Sequence, residues 1–434
     1  MKVLHWNDEE AVLFRNNRQG VFSILTQLPD VSPIMHKVKE EGDKGLATLT
    51  RRYDGVRVSA LRVDEAEIQQ AAACIEDDLR QHLRQIGENV RKFALKQLDS
   101  CRSFQYEIHP GVLTRQDVIP IDRIGIYVPG GRYPLVSSLI MAAVPAQAAG
   151  VGQIAVCTPP GRTGAASPLI LAAAHLLGLD EIYKVGGAQA VAALAFGTES
   201  IPKVDKIVGP GNSYVNAAKK WVYGLVGIDF IAGPSEVLIL ADEQADPVCL
   251  ASDLIAQAEH DTQALAILVT DSLSVAGGVQ SELERQLLAI KTKDVARRAL
   301  EKNGAILIVT SWDEAIAYAN QRAPEHLIIN MKDPEDLIPR LRHYGTLFIG
   351  SLATVVLGDY SAGVNHILPT NRAARYTGGL SVRDFIKFQT SLHVDPGGFA
   401  EIAPPAEVLS QAEGLEGHAQ ACRNRRSTGS KNQL

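Results

Sequence analysis

Beyond RIGIYV (residues 123–128) the chain alternates short apolar runs with helix-length ones. IAVCTP, IYKVGG, DKIVGP and SEVLILA read as buried strands. SSLIMAAVPAQAAG, SPLILAAAHLLG, AQAVAALAFG and YVNAAKKWVYG read as the helices between them. A strand followed by a helix of this length returns the chain to the same edge of a sheet, so successive strands run parallel with both faces covered. The alternation resumes after residue 241 with ASDLIAQAEH, ALAILVT, AILIVT, DEAIAYANQ, HLIIN and GTLFIG. The expected class is therefore α/β, with two Rossmann-like parallel-sheet domains at 103–241 and 242–379. FQYEIH and GVLTRQDVIPI are strand-like pieces opening the first of them. Residues 1–102 carry apolar positions at helical spacing and are expected to form a helical N-terminal region. Residues 380–434 read as an extended C-terminal tail without strands. They are too few to form a core alone and must pack on the rest of the protein or on a partner subunit.

Composition narrows the function. The chain has 434 residues, of which 46% are hydrophobic and 21% charged, as in globular domains. Its net charge of −6 is carried without long blocks of one sign, so it bears no electrostatic footprint for nucleic acid or an anionic membrane. No apolar stretch is long enough to span a bilayer. The start, MKVLHWNDEE, lacks the basic and apolar regions of a secretory signal. Five cysteines are scattered without a CxxC, which argues against both a disulfide framework and a thiolate zinc site. A cytoplasmic protein is expected.

Three Gly-rich loops follow strands in the first α/β unit: YVPGGRYP (127–134), VGGAQA (185–190) and GPGN (209–212). Glycines permit tight turns, and a helix N-terminus offers free N–H groups to phosphate. The third loop resembles the start of a dinucleotide fingerprint, but Tyr214 holds the third glycine position, so a plain turn at an α/β crossover is an equal reading. Three such loops at strand ends favour a ligand crevice, with Tyr127, Gln189 and Asn212 as the polar groups facing a nucleotide.

Of eleven histidines, four sit beside a carboxylate or amide in a Gly- or Pro-marked segment: His260 in QAEHD, His326 in APEHLII, His366 in GDYSAGVNHILPT and His418 in EGLEGH. Gln257 and His260 are three residues apart, which puts them on one face of a helix. Gln257, His260, Asp359 and His418 together would offer an amide oxygen, a carboxylate and two imidazoles. That mixed set suits zinc or manganese with open positions for substrate. The alternative is an ordinary polar helix edge. Glu325 and His326 stand at a strand entrance, where both can reach one cleft as an acid/base pair. Surface pairing of Glu325 with packing of His326 is the competing reading.

YVPGGRYPLVSSLIM, VGGAQAVAALAFGTESIPKVDKIVGPGN, AGPSEVLILAD, ASDLIAQAEHD, PEHLI, GDYSAGVNHILPT and EGLEGHA, in this order, resemble the histidinol dehydrogenase family nearly end to end. The resemblance implies an NAD- and zinc-dependent, four-electron oxidation of L-histidinol to L-histidine through the aldehyde. It implies Gln257, His260, Asp359 and His418 as ligands of one zinc per subunit, and Glu325 and His326 as the acid/base pair. Ser235, His366 and Glu413 match substrate-contacting positions, and Tyr127, Gln189 and Asn212 match cofactor-contacting ones. It further implies a homodimer with shared active sites, in which the tail carries Glu413 and His418 to the neighbour.

The chain departs from the family at LATVVL before Gly358-Asp359, at NRAAR after LPT, and at TGGL. A sister group keeps this machinery but oxidises other small alcohols, including a sulfonated propanediol. Arg372 or Arg375 could hold such an anionic group, or could lie on the surface or at a subunit contact. Glu413, a fitting partner for a substrate ammonium, favours histidinol. A metal-dependent hydrolase is compatible with the ligands alone, and the cofactor loops argue against it. A metabolite sensor predicts the loss of a catalytic residue, and none is lost.

Overall fold

The computed structural model describes residues 1–16, 28–130 and 134–429. In chain order its strands are β1 (Lys2–His5), β2 (Phe104–His109), β3 (Val112–Pro120), β4 (Arg123–Tyr127), β5 (Gln153–Thr158), β6 (Ile182–Lys184) and β7 (Lys206–Val208). They continue with β8 (Gly227–Ile228), β9 (Glu236–Ala241), β10 (Leu265–Thr270), β11 (Ala305–Ile308), β12 (His326–Asn330), β13 (Thr346–Ile349) and β14 (Ile386–Val394).

Two parallel sheets have the orders β6-β5-β4-β7-β8 and β1-β11-β10-β9-β12-β13. Numbered from its own first strand, each contains the order 3-2-1-4-5, so the two α/β halves share one topology. In the second sheet β1 is added at the edge, beside β11. Such an order places the chain reversal between the first and fourth strands, here β4/β7 and β9/β12.

The sequence of β9, EVLILA, shows why these strands form. All six residues are buried, as a strand covered on both faces requires. Val237, Ile239 and Ala241 pack with the helices Pro247–Ala258, Leu273–Leu287 and Lys293–Asn303. Leu238 and Leu240 pack on the opposite face with Ala315, Ile316 and Ala319 of the helix Trp312–Arg322. The alternation along one strand thus divides the apolar core into two layers.

The chain forms two compact units, one of residues 1–96 and 121–385 and one of 97–120 and 386–434. This division differs from the four segments expected. Residues 1–102 are not wholly helical, because KVLH pairs with β11. FQYEIH and GVLTRQDVIPI do not open the first α/β unit. They form an antiparallel sheet with β14, in the order β14-β3-β2. The tail contains a strand after all. IKFQTSLHV is exposed along most of its length, so it has no apolar run to betray it, and its nine residues are held by pairing with β3. No helix among the described residues is long and apolar enough to cross a membrane.

Candidate active site

A cleft of about 700 Å³ lies in the first unit, between unlike edges of the two parallel sheets. The first sheet presents its C-terminal edge. Pro129 follows β4, and Pro210, Gly211, Asn212 and Ser213 follow β7. The second sheet presents its N-terminal edge. Ser235 precedes β9, Glu325 and His326 stand at the entrance of β12, and Gln257 and His260 come from the far end of the helix Pro247–Ala258. The first half thus follows the usual rule for α/β ligand crevices and the second inverts it.

The helix Pro247–Ala258 is started by Asp246, whose Oδ1 accepts the Val248 N–H at 2.8 Å, and by Pro247 in its first turn. Its last turn buries Gln257. His260 lies just past the helix end and is held there by a turn in which its N–H approaches the Gln257 carbonyl at 3.4 Å. Both residues line the cleft. Asp359 joins them from the helix Val355–Tyr360. Gly358 lets that helix approach, since a Cβ there would stand 2.6 Å from the Phe348 ring.

Glu325 and His326 are both held by the peptide groups of Glu236. The Glu236 N–H donates to Glu325 Oε2 at 2.8 Å, and His326 Nδ1 lies 3.0 Å from the Glu236 carbonyl oxygen. A carbonyl only accepts, so Nδ1 carries a proton in either charge state, and Nε2 is the nitrogen whose proton comes and goes. Among the described residues Nε2 has no hydrogen-bond partner; it is buried, 3.6 Å from Asp359 Oδ1. Burial pushes the Glu325 carboxyl up to about 7, against the pull of His326 and the Glu236 N–H. Burial alone would lower the His326 imidazole, but Glu325, Asp359 and the Glu236 carbonyl carry it up to about 9. Burial would likewise raise Asp359, yet its contacts with His326, His366 and His260 hold it below the ordinary carboxylate value.

His366 faces the same cleft. Its Nδ1 lies 2.8 Å from the Asp359 carbonyl oxygen and its Nε2 lies 3.4 Å from Ser138 Oγ. Burial lowers its pKa, so the ring is neutral at pH 7, with Nδ1–H donating to the carbonyl.

The three cofactor candidates are placed differently from one another. Asn212 lines the cleft, but its Oδ1 is committed to capping the next helix, accepting the Tyr214 and Val215 N–H groups at 3.0 and 3.1 Å. Tyr127 is buried, its hydroxyl accepting the Gly187 N–H at 3.2 Å and its phenol pushed up to about 12 by burial. Gln189 is buried, with Nε2 3.5 Å from Asp54. Gly131, Arg132 and Tyr133 of the first Gly-rich loop lie outside the described residues.

Glu413 and His418 belong to the second unit, where both are exposed. Glu413 caps the helix Pro396–Ala412 and His418 stands in the first turn of Glu416–Gly429. Among the described residues no three His, Cys, Asp or Glu side chains are gathered as a metal-ligand group. Arg372 and Arg375 are away from the cleft. With Arg342 and His343 they line a separate depression, where their guanidinium groups donate to the Gln321 and Asn320 carbonyls at 2.9 Å, closing the end of the helix Trp312–Arg322. The sequence did not point to Glu236, nor to Arg322 and the Asn371 N–H that hold its Oε1 at 2.9 and 3.1 Å. The one signal, its place at the head of SEVLILA, is that of any strand start.

The sequence profile of the histidinol dehydrogenase family matches residues 19–426. The chain belongs to the histidinol dehydrogenase family. It is 44% identical over 398 residues to the histidinol dehydrogenase of Methanothermobacter thermautotrophicus, covering 92% of this chain and 93% of that one. It is 44% identical over 395 residues to that of Bacillus anthracis, covering 90% of each. The crystal structure of histidinol dehydrogenase from Elizabethkingia anophelis superposes with a TM-score of 0.91 at 36% identity, covering 99% of both chains. Membership brings the coarse activity with it: a histidinol dehydrogenase, an oxidoreductase of histidine biosynthesis. The likeness extends through the fold, so the α/β architecture with parallel sheets is that of the family.

Proposed function

We propose that the chain oxidises L-histidinol to L-histidine in two NAD-linked steps in one cleft, with His326 and Glu325 as acid/base residues. The observation that carries this reading is the placement of the pair: His326 Nδ1 is committed to the Glu236 carbonyl, which leaves Nε2 as the nitrogen that exchanges a proton, beside a glutamate raised toward neutrality. With Asp359 committed to a cation, a carboxylate that keeps His326 protonated is withdrawn, and Nε2, once unprotonated, takes the hydroxyl proton of the alcohol as the carbinol hydride departs, giving the aldehyde. Glu325, able to exchange a proton near pH 7, removes one from the water that adds to that aldehyde. The hydrate then loses its second hydride and a proton to leave the carboxylate. In sum one alcohol, one water and two NAD⁺ give one carboxylate, two NADH and three protons.

The residues fit both a cation and a dinucleotide. Gln257, His260 and Asp359 offer an amide oxygen, an imidazole and a carboxylate to a cation, a donor set suited to zinc. Pro210, Gly211 and Asn212 bring loop backbone to the cleft, and glycine at 209 and 211 lets that loop close on the chain beneath it, where a Cβ would meet the Tyr127 carbonyl oxygen at 2.2 Å and Val215 at 2.4 Å. When bound, NAD supplies the hydride acceptor and zinc a fixed charge that orients the substrate. Ser235 and His366 flank the substrate end, and neutral His366 donates to the Asp359 carbonyl, steadying that helix. Tyr127, Gln189 and Asn212 support the cofactor end, two of them from beneath the loops.

We assign the remaining ligand, His418, and the substrate partner Glu413 to a second copy of the chain in a homodimer with shared active sites. Two observations support this. Both residues are exposed in the single chain, and the sheet of the second unit exposes Phe104, Tyr106, Ile108, Phe388 and Leu392. A cytoplasmic enzyme fits this chemistry. The test is turnover by purified, zinc-loaded protein with L-histidinol, with NADH and histidine counted together. Two NADH per histidine is the expected result. No turnover of histidinol but turnover of a sulfonated propanediol would overturn the substrate assignment.

A further inference from the structure

We propose that Lys219 and Asp229 are positioning residues for the cofactor, their buried ion pair fixing the conformation of Gly209-Pro210-Gly211 at the dinucleotide end of the cleft. The inference rests on the NAD reading above. Both side chains are 1% exposed and paired with each other. Lys219 Nζ donates to the Gly209 carbonyl at 3.1 Å, and the Gly209 N–H donates to Asp229 Oδ2 at 2.8 Å. Two opposite charges, joined to each other, thus hold both peptide groups of one glycine.

Fold stability does not account for this arrangement. An apolar pair of similar volume is commonly as stable as a buried ion pair, because the charges must give up their water. What the pair provides is an imposed peptide orientation. Gly209 has φ +118°, and a Cβ there would stand 2.2 Å from the Tyr127 carbonyl oxygen, so the backbone is pressed against the end of β4. Lying beyond β7, it has no ladder to orient it. The far end of the loop is fixed as well, by Asn216 Nδ2 donating to the Gly211 and Ala232 carbonyls at 3.2 and 2.7 Å.

The same geometry says what Lys219 does not do. It is buried, and its ammonium group is committed to Gly209 and Asp229, so it is not a phosphate ligand. The helix start is not a bare anion site either, since Asn212 Oδ1 occupies the Tyr214 and Val215 N–H groups. The cofactor end is therefore shaped by the loop backbone that the ion pair sets.

The test uses the full-length, zinc-loaded protein. Lys219→Met and Asp229→Asn singly leave one buried charge unpaired and should lower the melting temperature. Lys219→Met combined with Asp229→Leu should recover most of that loss, yet keep KM for NAD raised by about tenfold or more, with KM for histidinol within about twofold of the parent. Recovery of the NAD KM together with the melting temperature would overturn the proposal, as would an equal rise in both KM values. Should the double variant not fold, Lys219→Arg keeps the charge but moves the donor off the Gly209 carbonyl. A raised NAD KM at unchanged histidinol KM is expected there, and a parental NAD KM overturns the proposal. A parent protein that neither binds nor reduces NAD would refute the cofactor reading itself. An NAD-active parent with an unaffected double variant would refute only the positioning role.

Discussion

His326 Nδ1 lies 3.0 Å from the Glu236 carbonyl oxygen, and that contact decides which ring nitrogen is free for chemistry. Nδ1 keeps its proton, and Nε2 is left as the nitrogen that exchanges one. His326→Gln keeps a polar side chain but offers no comparable base. The expected outcome is a loss in kcat of about 10²–10⁴-fold with little change in KM for either substrate, read by steady-state kinetics. A kcat within a factor of a few of the parent would remove His326 from the proton transfer.

His418→Asn should lower the zinc content of the purified protein, measured by elemental analysis. A sharper form uses mixed dimers of His418→Asn and His326→Gln subunits. If His418 completes the neighbour's site, one of the two sites in each mixed dimer contains both intact residues and activity reappears. If each chain completes its own site, mixing restores nothing.

Arg372→Gln and Arg375→Gln should leave kcat/KM for histidinol within about twofold of the parent, because both guanidinium groups close a helix end in a separate depression. A large selective change in the substrate profile would return them to the substrate site.

Asp54 gives a pH-dependent prediction for stability. Burial raises its carboxyl from 3.8 to about 6, beside Gln189. A carboxyl with a raised folded pKa favours the protonated, acid form of the native protein. Its contribution is fully present below the unfolded value and is lost as pH rises through about 6. Asp54→Asn removes the ionisation. Its melting temperature relative to the parent should therefore rise between pH 4 and pH 7 and then level off, as measured by calorimetry. A difference that does not vary with pH would contradict this environment for Asp54.

Much of this was legible in the sequence. SEVLILA and HLIIN announce themselves as strands because burial on both faces demands continuous apolar residues. Gln257, His260, Glu325 and Asp359 are chemically conspicuous and lie in marked segments. Other features leave no local trace. KVLH is a strand only because β11 accepts it at the sheet edge, and IKFQTSLHV because β3 does. Glu236 positions the pair through its peptide groups, which every residue but proline has, so its identity carries no signal for that role. Lys219 and Asp229 are ten residues apart and meet only after the loop, helix and strand between them have folded. Which edge of the second sheet faces the cleft depends on how the halves are stacked, and strand periodicity is the same read from either end.

The central claim is that one cleft performs two oxidations with divided proton chemistry, Glu325 serving the water that enters between them. The most direct measurement is the rate of each half-reaction by Glu325→Gln, with histidinol supplied in one assay and the aldehyde in the other. Histidinol should still be oxidised to the aldehyde at a rate near the parent's, while oxidation of the aldehyde falls by about 10²-fold or more. Equal loss in both half-reactions, or an unimpaired aldehyde step, would contradict it.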